Sequence, residues 1–167
     1  ESFADIFGRL IDRDDWLIGE DVMQPGTNAA LRSMQDPHNG VSSNSPWWQP
    51  RTVSEQYTGS QDNGGVHINS GIPNWAYYLF ASNANVTKDK AEKVYYKALK
   101  DYLVKSSQFV DLRIAVLQAA NDLYPAGNTV ANAAASAFDQ VGILGSSPGG
   151  NYLGNLTTNP GTDYVLC

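Results

Sequence analysis

The chain has 167 residues, 42% hydrophobic and 17% charged, with a formal net charge of −6 at pH 7. That length suffices for one domain with a real core. The acidic balance argues against nucleic acid as a partner, since a phosphate-binding face needs clustered Lys and Arg, and no apolar run approaches the ~20 residues of a membrane span.

The opening residues, ESFADIFG, read as helix: over residues 1–12, Phe3, Ile6, Phe7, Leu10 and Ile11 fall on one stripe. No signal peptide is visible within these residues, which open already inside the helical pattern. Residues 20–66 are rich in Gly, Ser, Asn, Pro and Gln, and a connection of that length inside a compact domain is usually functional or disordered. A helix is predicted over 70–82, with Ser70 as N-cap, Pro73 in the first turn and an apolar series Ile72, Trp75, Ala76, Leu79, Phe80. The next spans 88–104 after Thr87, buries Ala91, Val94, Tyr95, Ala98, Leu99 and Tyr102, and carries an outer Asp89–Lys93 pair. Residues 108–123, after Ser107, are apolar on several sides and form the central buried helix. Residues 129–141 close the series, with Val130, Ala134, Ala137, Phe138 and Val141 inward and Gly142 as the stop. No strand pattern competes, so the expected fold is mainly α: a bundle of about five helices with a long irregular loop region. The Gly/Asn/Pro-rich residues 144–167 read as an extension or linker. Cys167, the one cysteine, excludes an internal disulfide and a cysteine-based metal site. Asn85-Val86-Thr87 and Asn155-Leu156-Thr157 match glycosylation sequons.

The stretch DNGGVHINSG places His67, one of only two histidines, behind paired glycines with Asp62 five residues upstream. Gly64 and Gly65 allow a sharp turn. A carboxylate accepting from one ring nitrogen fixes the tautomer of the other. The simpler reading is a capped turn with a half-buried ring, and spacing alone favours it. Glu1 and Asp5 share one helix face at i, i+4, either awaiting a cation or merely solvated. Arg32, in LRSMQDP, is either a two-donor grip for a carbonyl or carboxylate or one half of a surface ion pair. Asp12, Asp14, Asp15, Glu20 and Asp21 surround Trp16 and either converge on a hard cation or form a solvated acidic loop. Trp47 and Trp48, in SPWWQP, line a cleft or plug the loop onto the bundle, and plugging is favoured.

In chain order, ESFADIFG, WLIGEDVMQPG, LRSMQDP, YTGSQDNGGVHINSGI and AFDQVGI resemble the C-terminal half of the thermolysin-like zinc metallopeptidases, peptidase family M4, over residues 1–143. The match is most specific at DNGGVHINSG and LRSM. The resemblance implies that Glu1 is the third zinc ligand, beside two histidines of an HExxH helix. It makes Asp5 the carboxylate that orients a zinc-bound histidine. His67 stabilises the tetrahedral oxyanion and Asp62 orients His67. Arg32 grips the substrate carbonyl, while Leu31 and Ile18 wall an apolar specificity pocket. Asp12, Asp15 and Glu20 match calcium-binding carboxylates, but Leu17 replaces another, which leaves one calcium ion or none.

The sequence contains no HExxH, and His38 and His67 are not at i, i+4. The general base, two zinc ligands and the family's upstream tyrosine are therefore not in this chain. The expected function is the substrate-binding half of a secreted, extracellular zinc metalloendopeptidase, inactive by itself. Its expected partners are peptide or protein substrates and the N-terminal catalytic half, with neither nucleic acid nor membrane involved. The alternative is a non-catalytic helical peptide-binding module derived from such a protease.

Overall fold

Alternation between apolar helical stripes and Gly/Asn/Pro-rich connections gives a chain of helices, seen in a computed structural model that describes residues 1–24 and 30–145. The extension from residue 146 onward, with Cys167 and the Asn155 sequon, lies outside the described residues. The described helices are α1 Ser2–Ile11, α2 Asp62–Asn69, α3 Gly71–Ala81, α4 Lys88–Asp101, α5 Phe109–Leu123 and α6 Thr129–Gln140. Five of these are the helices expected from sequence, and α2 lies in and beside the stretch expected to be irregular. A two-residue antiparallel ladder, β1 Leu17–Ile18 with β2 Arg32–Ser33, also departs from the strand-free expectation. Such a ladder is too short to show a period-2 pattern. No helix of the described residues is long and apolar enough to cross a membrane.

The chain divides into two compact units, residues 1–79 and 80–167. In the second, α5 packs against both α4 and α6. Its buried residues Leu112, Ala115, Val116, Leu117, Ala119 and Ala120 cover more than one face, as a central helix requires. Ala91 and Ala98 of α4, and Ala131, Ala134 and Ala137 of α6, are likewise buried beside Val94, Tyr95, Val130 and Phe138. Small side chains let the helix axes approach, and the larger ones fill the layers between them. Thr87 caps α4 by accepting the Lys90 N–H at 3.2 Å. The α5 cap is Gln108, one residue after the expected start signal, in a reciprocal box with Asp111. Helix α4 ends at Asp101 rather than 104, where the Leu103 N–H turns back to the Ala98 carbonyl at 3.1 Å. Leu99, expected on the buried stripe, is 40% exposed. The buried Arg113 Nη1 donates to the Ala135 and Ile143 carbonyls and to Asp139, tying α5 to the end of α6. Gly142, at φ +80°, stops α6 as expected.

The first unit departs from its sequence pattern at α1. The helix buries Ser2, Asp5, Ile6 and Arg9, a largely polar face. Phe3, Phe7 and Leu10 are only half-buried and Ile11 is 88% exposed. Of the apolar stripe expected to face the core, Ile6 is fully buried while the other members lie at the margin of the first unit's core. Arg9 closes the helix end, donating to the Asp12 and Arg13 carbonyls and stacking over Trp16 at 4.3 Å. Trp16 in turn sets its edge against Tyr78. The ladder then brings Arg32 beside Ile18, and Gly40 approaches so closely that a Cβ there would lie 2.8 Å from the Arg32 Cα.

Candidate functional site

The residues leading into α2 form a left-handed turn. Asp62, Asn63, Gly64 and Gly65 have φ of +54°, +51°, +84° and +84°. Asn and Asp tolerate this region and Gly favours it, whereas other side chains are penalised there by ~1–2 kcal/mol per residue. The chain reverts to a right-handed helix at Val66, and that reversal bends the Asp62 side chain back over the new helix start. Asp62 Oδ2 accepts the backbone N–H groups of His67 at 2.7 Å and Ile68 at 3.0 Å, and Oδ1 lies 2.5 Å from His67 Nδ1. One carboxylate thus caps the helix and aims the imidazole. Both readings of this stretch hold at once, the capped turn and the oriented ring. Because an ionised carboxylate only accepts, the proton between them sits on Nδ1. Burial alone would raise the Asp62 pKa, but the His67 ring bond, the two backbone N–H bonds and the ring's charge together hold it below the usual carboxylate value.

Gly65 is the tightest point of the turn. A Cβ there would lie 2.8 Å from both Asn69 Nδ2 and Tyr57 Cδ1. Asn69 cannot yield, because its amide is bonded to both the N–H and the carbonyl of Tyr57 at 2.9 Å. Gly65→Ala is expected to destabilise the chain by ~1–3 kcal/mol, read as a lower urea midpoint with unchanged slope. A wild-type midpoint would show that the turn relaxes at no cost.

Arg32, delivered by β2, meets both carboxylates of α1. Its Nη1 is 2.7 Å from Glu1 Oε1 and 2.6 Å from Asp5 Oδ1. Glu1 Oε2 lies 3.4 Å from His67 Nε2. Glu1, Asp5, Arg32, His67 and Asp62, separated by up to 66 positions in sequence, form one connected cluster. Asp5 and Asp62 are nearly enclosed, while the His67 side chain is 42% exposed. Leu31 and Ile18 stand beside the cluster. The Leu31 N–H donates to the Ile18 carbonyl at 2.9 Å, and the Leu31 side chain is 45% exposed.

Several site residues gave little sequence signal. Gln49, 2% exposed, donates to the His67 carbonyl at 2.6 Å and to Ser70 Oγ at 2.9 Å, binding the SPWWQP loop to the histidine turn. Ser70 is therefore not the N-cap of α3. It has helical φ and ψ, and its hydroxyl donates back to the His67 carbonyl. Asn74, in the first turn of α3, bonds Ser2 and Asp5. A polar residue inside the apolar series Ile72 to Phe80 was its only mark. Trp48 stacks on His38, which bonds Glu55 at 3.1 Å, a contact within the loop region rather than with the bundle, while Trp47 is 55% exposed.

Of the acidic residues around Trp16, Asp12, Glu20 and Asp21 bring their carboxylate oxygens within 4.8 Å of one another. Asp15 is not in that group, and its Oδ1 accepts the Leu17 N–H at 2.7 Å. Glu20 Oε2 is enclosed without a hydrogen-bond partner.

The sequence matches the thermolysin metallopeptidase, alpha-helical domain family over residues 1–143. It is 43% identical over 152 residues to bacillolysin of Brevibacillus brevis, covering 86% of this chain and 28% of that protein. It is 42% identical over 157 residues to thermolysin of Alicyclobacillus acidocaldarius, again covering 86% of this chain and 28% of the relative. The fold superposes on a precursor of protealysin, a metalloproteinase from Serratia proteamaculans, with a TM-score of 0.74 at 32% identity, covering 86% of this chain and 48% of that one. The chain thus spans little more than a quarter of the length of these sequence relatives. The chain belongs to the thermolysin metallopeptidase family, as its α-helical domain.

Proposed function

We propose that this chain is the C-terminal, substrate-binding half of a secreted zinc metalloendopeptidase. The convergence of Glu1, Asp5, Arg32, His67 and Asp62 on one cluster, open at His67, carries the reading. Secretion is supported by a relative from Staphylococcus epidermidis named an extracellular elastase, 42% identical over 144 residues. The half-exposed apolar residues of α1, with Ile11 88% exposed, are assigned in this reading to the face that meets the N-terminal half. Residues 1–143 constitute the domain in this reading, and 144–167 an extension from it.

The donor set fits a shared metal site. Among the described residues, the group of three close donors is Asp12, Glu20 and Asp21, and Glu1 belongs to no such group. Glu1 therefore offers one carboxylate where a zinc site takes three protein ligands. Zinc, when bound, polarises the scissile carbonyl and lowers the pKa of a water. Asp5 lies one helical turn from Glu1 and would fix a ligand histidine from the other half. Arg32 places both carboxylate contacts on Nη1, which leaves Nη2 and Nε for a substrate carbonyl. In its doubly protonated form, His67 presents an Nε2–H toward the carbonyl oxygen as negative charge develops there. Ile18 and Leu31 would take an apolar side chain next to the cut bond. Asp12, Glu20 and Asp21 would hold a calcium ion, with the unpartnered Glu20 Oε2 as one ligand atom.

The test has two arms. The isolated 167-residue chain is expected to bind no stoichiometric zinc through Glu1 and to cleave no peptide. The protein joined to an HExxH segment is expected to do both and to lose both in Glu1→Gln. Chelator-sensitive hydrolysis by the isolated chain would overturn the shared site. An intact protein without HExxH would leave the non-catalytic peptide-binding module.

A further inference from the structure

We infer that Asn74 is a positioning residue of the catalytic centre, locking the plane of the Asp5 carboxylate. The inference rests on the zinc-peptidase reading above. Asp5, Asn74 and Ser2 are 4%, 1% and 3% exposed. Asp5 Oδ1 accepts from Arg32 Nη1 at 2.6 Å, and that same nitrogen lies 2.7 Å from Glu1. A carboxylate held by one donor on one oxygen can pivot about that contact. The Asn74 amide removes the pivot, because Nδ2 donates to Asp5 Oδ2 at 2.8 Å from a separate helix.

The amide itself has only one workable orientation. Flipped, its oxygen would face a carboxylate that has only lone pairs to offer. With Nδ2 committed to Asp5, Oδ1 needs a donor, and the Ser2 hydroxyl supplies it at 2.7 Å. The relay Ser2 to Asn74 to Asp5 is therefore directional and fully buried. Ser2 and Asp5 share the inner face of α1 at i, i+3, so Asn74 grips that face at two points. The two held oxygens fix the direction of the remaining Asp5 lone pairs. In the zinc reading, those lone pairs receive the N–H of a ligand histidine, and orienting partners of this kind tune metal affinity.

The experiment uses the intact protein and measures the zinc dissociation constant by chelator competition, with the Tm of the zinc-free form alongside. Asn74→Leu keeps the branched side-chain shape and removes both polar atoms, and is expected to weaken zinc binding ~10–100-fold. Ser2→Ala leaves the amide free to turn and is expected to weaken it by a smaller factor, ~3–10-fold. Both changes in affinity are expected in fully folded protein. Wild-type zinc affinity in both variants, even with a lowered Tm, would reduce Asn74 to a packing role and overturn the inference. Should Asn74→Leu fail to fold, Ser2→Ala decides by the same criterion. A wild-type protein that takes up no zinc, or whose zinc affinity is indifferent to Glu1→Gln, overturns the zinc reading first and this inference with it.

Discussion

His67→Ala, in the intact zinc-loaded protein, is expected to lower kcat by about 10²–10³-fold with little change in KM. The ring's Nε2 belongs to the most exposed side chain of the cluster and carries no short bond, its contact with Glu1 being 3.4 Å. A donor there acts on charge that appears on the substrate only as the carbonyl is attacked, so its loss falls on the rate rather than on binding. Nδ1 is already committed to Asp62, which prevents the ring from turning away. Zinc content is expected to stay at the wild-type level, because His67 is not a ligand in this reading. Single-turnover kinetics and metal analysis on the same preparation check both halves of the statement. Loss of zinc would make His67 a ligand, and wild-type kcat would make it a packing residue.

Some of this site was legible in the amino-acid order and some was not. Helices α4, α5 and α6 declare themselves through apolar residues at helical spacing and through end signals such as Thr87 and Gly142, because each depends mostly on its own local pattern. Helix α1 was legible as a helix but not in which face it buries. A period of 3.6 marks an apolar stripe without saying whether that stripe meets this chain or another. Phe3, Phe7, Leu10 and Ile11 form the less buried side, and Asp5 and Arg9 are inside because Arg32, Asn74 and nearby carbonyls bond to them. The turn at Asp62 was legible as a turn, since paired glycines permit positive φ. Its continuation into helix was hidden, because the same glycines argue against helix. Gln49 and Asn74 were invisible for a different reason. Each works through a partner at least 18 residues away, and no local spacing encodes such a pairing.

Asp62→Ala is expected to destabilise the chain by on the order of 3 kcal/mol, in addition to slowing the intact enzyme. Hydrogen bonds to a charged group contribute about 1.5–3 kcal/mol each and do not simply add. The Asp62 carboxylate accepts three, from the His67 ring and from the His67 and Ile68 N–H groups, with its side chain only 7% exposed. Alanine leaves the two backbone donors at a helix start without an acceptor and frees the ring. Asp62→Asn is milder at neutral pH, since the amide keeps one accepting oxygen where the carboxylate had two. It lowers kcat in the same direction as His67→Ala but by a smaller factor. The pH dependence separates charge from shape. The folded-state pKa of Asp62 lies below its unfolded value of about 3.9, as its bonds outweigh the opposing effect of burial. A lowered carboxyl pKa stabilises the fold fully above the unfolded value, and that stabilisation disappears as pH falls through the folded one. The stability gap between wild type and Asp62→Asn is therefore expected to narrow as pH falls below about 5. Taking the difference cancels the other carboxylates, including Glu55, whose pKa its bonds from Arg51 and His38 also hold low against burial. Urea unfolding at a series of pH values measures the gap directly. A gap as wide at pH 3 as at pH 7 would mean that the Asp62 charge contributes nothing and that its three bonds are matters of shape alone.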